Sequence, residues 1–477
     1  MPNITAASPR FLLLAALGAC AGQALAADEI IIEGGEPASD EIRIDSGDAP
    51  ASDIIIMDDA SSPAAASEQR PAPPPTTRSN LDIGIDEARL EYGAFTHSNS
   101  TSNRAVYGKL AASANWQPDP GWELQVAGRI DGFDEDGVSG FSRTRADYGD
   151  SFIRYRGDNY KVTLGTQTVI WGRLDEVPLS DRVSTADLSR IVLDDLEDRR
   201  RSNPMVRVES FVAGGKLDLV WLVDFRGAEL PDGSSVWYPV DQRKGRLFGI
   251  DPNAISPAFV RAARIVEDEP DGDGGVGARY TRSYSVADVG VTVANTRQSV
   301  PYFSANTGAG TLRTEYPRSW AFGVDAAVNY ADAIWRGEVV YSSDNPVTRS
   351  NFNYTTVPGV QWGVGVEMHP GDGDTRVNLQ LVGNNLIDAP PILDRSEIYS
   401  VNGEIDMPFD RERWRASLDF NVGVDEKDIY LNPEIAFLGW EPHELFVAGH
   451  YFEGDARTLG GFYRDNSMVN LGWRAKF

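Results

Sequence analysis

Apolar and polar residues alternate with a period of two through most of the chain after Leu81. The stretch WELQVAGRID (122–131) places Trp, Leu, Val and Ile on one face and Glu, Gln, Arg and Asp on the other. SWAFGVDAAVNY (319–330) shows the same pattern, and similar runs occur at 360–368, 414–424, 445–451 and 469–477. A period of two is typical of β-strands with one apolar and one polar face.

A soluble β-sandwich and a transmembrane β-barrel both produce this pattern. Connections that alternate between short turns and long loops favour the barrel. So do tryptophans near predicted strand ends, because an aromatic girdle lies at the lipid headgroups of such proteins. The girdle residues expected from the sequence are Trp116, Trp122, Trp320, Trp362 and Trp473.

The last nine residues, VNLGWRAKF, alternate up to a terminal phenylalanine, Phe477. This strand resembles the C-terminal strand of bacterial outer-membrane barrels, in which a final Phe is the signal read by the barrel assembly machinery. The resemblance implies that Phe477 is an assembly signal and that the assembly machinery, outer-membrane lipid and lipopolysaccharide are partners of the chain.

Strand number follows from the connections. Short turns are predicted at 117–121, 157–159, 213–215, 282–285, 330–333, 369–374 and 439–444, and long loops at 132–147, 172–203, 227–274, 298–318 and 343–359. Including EIYSVNGEID (397–406) as a strand gives an even count. The sequence thus predicts an all-β fold, a transmembrane antiparallel barrel of eighteen strands over 81–477, with sixteen as the alternative.

The N-terminus has the pattern of a secretory signal peptide. One basic residue, Arg10, precedes an apolar run too short to span a bilayer, and small residues follow it. We expect residues 1–26 to be removed. The alternative is a lipoprotein cut before Cys20, the single cysteine of the chain, which would then be acylated.

Residues 27–80 are acidic and rich in Pro, and are predicted to form a disordered periplasmic tail. Three Ile-rich repeats interrupt it, each bounded by acids, a composition suited to adding a strand to the sheet edge of a partner. The repeats also resemble the short box with which TonB-dependent receptors engage their energising partner. A periplasmic or inner-membrane protein is therefore an expected partner; a spacer without function is the alternative. The docking residues are Ile30, Ile31, Ile32, Ile42, Ile44, Ile54, Ile55 and Ile56.

An eighteen-stranded barrel encloses a lumen too wide for wall side chains to fill. The loop 172–203 is the candidate for narrowing it, with a short helix capped by Ser184 that either folds inward or lies on the outer rim. The charged residues expected at the constriction are Asp194, Asp195, Arg199, Arg200 and Arg201.

The strand pattern also places arginines on the inward face. Guanidinium groups in a wet channel bind carboxylates and phosphates, which favours an anionic or polyhydroxylated solute. The alternative is that arginine and acid ladders only stiffen the wall. The predicted lumen arginines are Arg129, Arg154, Arg156, Arg207, Arg279, Arg336, Arg413 and Arg415.

Composition excludes several classes of function. A formal charge of −27 and a pI near 4.5 argue against a nucleic-acid partner. The four histidines are scattered, no Gly-x-Ser-x-Gly is present, and His450 is expected to be an ordinary wall residue. The acidic stretches 131–137 and 268–275 lack the spacing of an EF-hand and are expected to be solubilising loops. We therefore expect no enzyme activity, no metal site and no cofactor.

The run GTQTVIWGRLDEVPLSD (165–181) leaves a strand and enters a long acidic loop. It resembles the corresponding region of uncharacterised outer-membrane porin-like families that neighbour the alginate-export porins. The resemblance implies an export or diffusion channel for a polar or anionic solute or polymer. The alternative is a structural anchor, in which the barrel only holds an adhesin or an assembly scaffold.

Overall fold

The structure is a computed structural model that describes residues 80–477 except Ser139, Glu176, Pro178 and Asp372. The expected signal peptide, the tail up to residue 79, its eight isoleucines and Cys20 lie outside the described residues. No helix in the described part of the chain is long and apolar enough to cross a membrane.

One antiparallel sheet of eighteen strands closes into a barrel, as the sequence predicted. The strands β1 to β18 are, in order, Leu81–Phe95, Ser102–Trp116, Trp122–Gly137, Phe141–Tyr148 with Ser151–Arg156, Tyr160–Gln167, Asn203–Val212, Gly215–Leu222, Gly275–Ser283, Asp288–Arg297, Arg318–Tyr330, Ala333–Thr348, Tyr354–Met368, Arg376–Leu386, Glu397–Phe409, Trp414–Gly423, Asp428–Trp440, His443–Gly454 and Met468–Lys476. The two segments of β4 pair with the same neighbour, β3, and therefore count as one strand.

The barrel closes where β1 pairs with β18, from Glu87 opposite Lys476 to Phe95 opposite Met468. Side chains along each strand point alternately to the outside and to the inside of the barrel, so the wall has two different faces. In β10, Phe322 and Val324 are about half exposed on the outside, whereas Asp325 is 1% exposed on the inside. The predicted period of two is thus confirmed, with apolar side chains outside and charged ones inside.

The turns predicted at 117–121, 157–159, 213–215, 330–333, 369–374 and 439–444 are confirmed, and they mark what we call the turn end of the barrel. Two predicted long loops are wrong. Residues 132–147 and 343–359 are mostly strand, because β3 runs to Gly137 and β4 begins at Phe141, while β11 runs to Thr348 and β12 begins at Tyr354. Backbone pairing continues past the last apolar residue, since a ladder of hydrogen bonds does not require an apolar face.

The turn predicted at 282–285 lies two residues further on, at 284–287, because β8 runs to Ser283 and β9 begins at Asp288; this turn and the turn at 410–413 also belong to the turn end. The other connections lie at the opposite, loop end. They contain short strands at Thr185–Ala186, Arg200–Arg201, Val240–Asp241, Arg246–Leu247, Arg264–Val266, Tyr302–Asn306 and Thr311–Glu315, helices at Pro257–Ala262 and Leu459–Phe462, and 3-10 turns at Leu196–Arg199 and Arg464–Asn466. The long loop 223–274 packs on the loop-end strands through an apolar core that includes Trp237, Phe248, Phe452 and Tyr463. The loops are therefore structured by burial of their own side chains.

Candidate functional site: the barrel interior

The connection between β5 and β6, residues 168–202, lies against the inward face of the barrel; we call it the inner loop. Its first arm, residues 168–183, contacts inward side chains of β7 and β10 to β13. Its second arm, residues 187–199, contacts β1 to β4, β16 and β18. The inner loop is thus held by both sides of the wall.

A wall carboxylate anchors the first arm. Glu338 of β11 is 1% exposed and accepts hydrogen bonds from the backbone N–H groups of Leu174 at 3.0 Å, Ser180 at 2.9 Å and also Arg173. An ionised carboxylate that accepts several backbone N–H groups forms bonds stronger than neutral ones. Glu338 therefore fixes the path of the arm across the wall.

Wall glycines make this close approach possible. A Cβ atom on Gly363 would lie 2.5 Å from Leu174 Cδ1, and one on Gly365 would lie 3.2 Å from Leu174 Cδ2. On β8, a Cβ atom on Gly277 would lie 2.6 Å from the Trp171 ring. Larger residues at these inward positions would push the inner loop away from the wall.

Side chains of the first arm also pair with the wall. Asp175 accepts a hydrogen bond from Asn378 Nδ2 at 2.8 Å and forms an ion pair with Arg336. The indole N–H of Trp171 donates to Asp218 at 3.0 Å. Each of these contacts compensates a buried polar group and helps to hold the arm against the wall.

Asp187 anchors the second arm. Its carboxylate lies 3.0 Å from Arg129 Nη2 on β3 and 2.7 Å from Arg145 Nη2 on β4. Burial raises the pKa of the Asp187 carboxyl, but the two guanidinium groups outweigh burial and hold this pKa well below its usual range. Asp187 is therefore ionised at neutral pH, and removal of its charge would leave two buried guanidinium groups less compensated.

The end of the second arm is acidic and reaches cations near the turn end. Asp198 contacts Arg89 at 3.3 Å and also Lys109, Asp195 lies 3.8 Å from Arg474, and Glu197 lies 3.3 Å from Lys476. Wall acids share these cations: Glu87 lies 2.6 Å from Lys109, and Glu444 lies 2.6 Å from Arg474. The wall and the acidic end together form a mixed network rather than a ring of one sign.

The helix predicted within this loop is wrong. Ser184 does not cap a helix, because its hydroxyl contacts the carbonyl of Val169 and the carboxylate of Asp181 at 2.5 Å. Of the residues of this loop that the structure describes, only the 3-10 turn Leu196–Arg199 is helical. The apolar Leu188 and Ile191 instead join the core formed with loop 223–274, so tertiary contacts override the helical spacing.

The arginines predicted to line the lumen mostly pair with carboxylates. Arg129 contacts Asp131 at 2.9 Å and Asp187, Arg154 contacts Glu123 at 3.0 Å, Arg207 contacts Asp218 at 2.8 Å, Arg279 contacts Asp325 at 2.9 Å, Arg336 contacts Glu367 at 2.9 Å and Arg415 contacts Glu434 at 3.5 Å. Two differ from this group. Arg156 is exposed at the turn end of β4. Arg413 lies outside the strands, in the turn before β15, where it pairs with Asp410 at 2.5 Å.

The residues predicted for the constriction all belong to the inner loop. Arg199 donates to the backbone carbonyls of Asp194 and Val192, at 2.7 and 3.1 Å. Arg200 and Arg201 form a short strand with Thr185–Ala186, and Arg201 contacts Asp147 at 3.1 Å and Glu229 at 3.2 Å. Arg199 thus holds the loop in shape through its own backbone, and Arg201 through β4 and loop 223–274.

His450 is an inward wall residue at the loop end of β17. Its Nδ1 lies 3.0 Å from the Tyr430 hydroxyl, which donates to the Val192 carbonyl at 2.8 Å. Phe477 lies at the turn end, and its backbone N–H donates to the Asp86 carbonyl at 3.0 Å. From the sequence, Glu338 was expected among the inward-facing acids and Asp187 beside the predicted helix cap, but the anchoring role of either residue was not predicted. The wall glycines were not predicted, although QWGVGVE (361–367) carries two of them two residues apart, on one face of a strand.

Comparisons with solved structures find similarity at low identity. Salmonella typhi OmpF in complex with daunomycin is 9% identical, with 84% of this chain and 98% of that chain covered and a TM-score of 0.43. Pseudomonas aeruginosa OccK7 (OpdD) is 12% identical, with 84% and 99% covered and a TM-score of 0.45. No curated protein matches the sequence. A family model does match, over residues 81–360, which span β1 to the first part of β12. The chain therefore belongs to the family described as "Protein of unknown function (DUF1302)".

Proposed function

We propose that the protein is an outer-membrane channel for polar solutes whose lumen is narrowed by the inner loop. The observation that carries the proposal is the division of the wall, with apolar side chains outside and ionised side chains inside all around a closed barrel. Outward apolar residues are matched to lipid, and inward charges are tolerated because water and counter-charges solvate them.

The inner loop sets the width of the path. It contacts opposite sides of the wall, and its charges are compensated by wall residues such as Glu338, Arg129 and Arg145. Because the predicted lumen arginines on the strands pair mostly with acids, the stiff-wall interpretation accounts for most of them. The selectivity of the channel for solutes then depends on inward-facing charged groups that do not pair with a residue of opposite charge.

The experiment is planar-bilayer recording of the purified full-length protein. We expect a steady open-channel current for the wild type and a larger conductance for Asp187→Asn, which loosens the second arm. Arg413→Gln, in an exposed turn, is the matched control and should conduct as the wild type does. Absence of current for all three proteins would contradict the channel.

A second candidate is a non-transporting anchor or scaffold. It is favoured by the apolar core that loop 223–274 forms at the loop end, which includes Trp237 and Phe248. In either case we propose that the tail, residues 27–80, lies in the periplasm and binds an envelope partner through its three isoleucine repeats. A barrel that never conducts but still captures such a partner would favour the scaffold.

A further inference from the structure

Three uncharged polar residues lie side by side on the inward face of β11, β12 and β13. Gln361 is directly opposite Asn384, and Ser342 is opposite Gly359, two residues from Gln361 along β12. In a sheet, directly opposite and diagonal side chains are within reach of one another. We call these residues, together with Arg182 of the inner loop, the amide site.

Arg182 completes the amide site from the side of the lumen. Its Nη2 donates to Gln361 Oε1. Three atoms of the amide site have no hydrogen-bond partner in the structure: Arg182 Nε, Ser342 Oγ and Asn384 Oδ1. Ser342 and Asn384 are only 4% and 7% exposed. Buried polar atoms are normally satisfied, so three unsatisfied atoms on neighbouring residues indicate a place that can bind a polar ligand.

The charge of Arg182 distinguishes it from the other inward arginines. Arg207 and Arg279 each contact a carboxylate within 3 Å. Among the residues that the structure describes, no carboxylate lies within ion-pair distance of Arg182. Burial lowers the pKa of Arg182 to about 10, although Asp181 and Glu338 act to raise it, so the guanidinium remains charged at neutral pH.

An apolar cluster lies next to the amide site on the side of the turn end. Val340 and Val382, each two residues before an amide-site residue on its strand, pack with Leu174 of the inner loop. Hydrogen bonds beside such a cluster are strengthened by the low local dielectric. The amide site therefore combines one cation that has no carboxylate partner among the described residues, one amide acceptor and one hydroxyl beside an apolar cluster.

We propose that the amide site binds a hydroxylated carboxylate, that is, a hydroxy acid or a sugar acid, as it passes through the barrel. The carboxylate accepts from Arg182 Nε, a ligand hydroxyl donates to Asn384 Oδ1, and Ser342 Oγ bonds a second hydroxyl. This inference rests on the proposed channel function and names its substrate class. A simple carboxylate would satisfy only the arginine, and a neutral polyol only the amide and the hydroxyl.

The test is calorimetric titration of the detergent-solubilised full-length protein with gluconate, with acetate and with sorbitol. We expect gluconate to bind at least about tenfold more tightly than either analogue, since each further charge-assisted or amide bond contributes about that factor. Arg182→Gln should weaken gluconate binding by about tenfold or more. Asn384→Leu should bring gluconate down to the level of acetate and leave acetate unchanged, which a merely structural defect would not do.

Arg413→Gln loses the same charge in an exposed turn and serves as the control for non-specific electrostatics. Heat-modifiable mobility in electrophoresis verifies that each variant is folded. Calorimetry does not depend on conduction, so a failure of the amide site is separable from a failure of the channel. The proposal would be overturned if the wild-type protein did not bind gluconate, or if Arg182→Gln bound it as tightly as the wild type does. In either case the amide site would bind only water.

Discussion

The carboxylate of Glu338, on the barrel wall, accepts a hydrogen bond from the backbone N–H of Ser180 at 2.9 Å. This bond joins the inner loop to a rigid strand. In Glu338→Gln the amide N–H₂ group cannot accept a bond from the loop backbone. We expect the free energy of unfolding in urea to fall by about 1–3 kcal/mol, the cost of a buried N–H without a partner. The inner loop should also be cleaved faster by protease, and a variant as resistant as the wild type would contradict this anchoring.

Substitution of Gly363 is a second test, of whether the inner loop limits the current through the barrel. A Cβ at this position would lie 2.5 Å from Leu174 Cδ1, so Gly363→Val should displace the first arm and raise the single-channel conductance. Overpacking of this kind destabilises by about 1–3 kcal/mol. Gly337→Val is the matched control, since the nearest atom to its Cβ is 3.8 Å away. Equal conductance for both variants would mean that the inner loop does not limit the current.

The carboxyl of Asp394, in the loop between β13 and β14, is expected to make the stability of the folded protein depend on pH. It accepts hydrogen bonds from Tyr302 Oη at 2.9 Å and from the Thr348 backbone N–H at 2.5 Å. Burial raises the pKa of its carboxyl from 3.8 to about 7, against the lowering effect of these bonds. The folded protein thus holds this proton more tightly than the unfolded chain does. The contribution of the Asp394 carboxyl to the free energy of unfolding is fully present below about pH 4 and is lost as the pH rises through about 7.

Hydrogen exchange in residues 387–396 is the measurement for that effect. We expect protection to decrease between about pH 5 and about pH 8 by more than about 1 kcal/mol, after correction for the intrinsic rate. Asp394→Asn should flatten the profile, whereas Asp388→Asn, an exposed residue of the same loop, should not. A profile for Asp394→Asn as steep as that of the wild type would refute the assignment.

Phe477 closes the wall through its backbone bond to Asp86. Deletion of Phe477 removes one hydrogen bond, at a cost of about 1 kcal/mol, but it also removes the expected assembly signal. We therefore expect a loss of membrane-inserted, heat-modifiable barrel much larger than the loss of stability measured after refolding in detergent. Phe477→Tyr keeps a terminal aromatic residue and is the control. Normal membrane levels of the deletion variant would exclude a signal at this position.

The three isoleucine repeats of the tail give a prediction that is independent of the barrel. Changing Ile31, Ile42 and Ile55 together to Ser should abolish capture of a periplasmic or inner-membrane protein by a tail peptide, while the barrel assembles normally. Strand addition depends on apolar side chains at alternate positions, so binding should weaken by at least about a hundredfold. The triple change Ala38→Ser, Ala51→Ser and Ala64→Ser is the control. If the isoleucine variant functions as the wild type does, the repeats serve only as a spacer.

The sequence determined the barrel. Alternation in stretches such as 319–330 follows directly from the two-residue period of a strand between lipid and water, so it can be read without tertiary information. The even strand count depended on recognising 397–406 as a strand, which the structure confirms within Glu397–Phe409. The position of the inner loop between two strands was visible for the same reason, because a long run without alternation interrupts the pattern.

Only the tertiary structure decided what the inner loop does. Leu188 and Ile191 have a spacing that fits a helix, yet they are buried against loop 223–274, which is distant along the chain and brought near by closure of the barrel. Arg207 and Arg182 look alike in the sequence, but Arg207 faces Asp218 on the neighbouring strand and Arg182 reaches an uncharged wall. Periodicity is a local property that fixes which face a residue occupies. The partner of a charge depends on register and on how a loop returns into the lumen, and those depend on contacts between residues far apart in sequence.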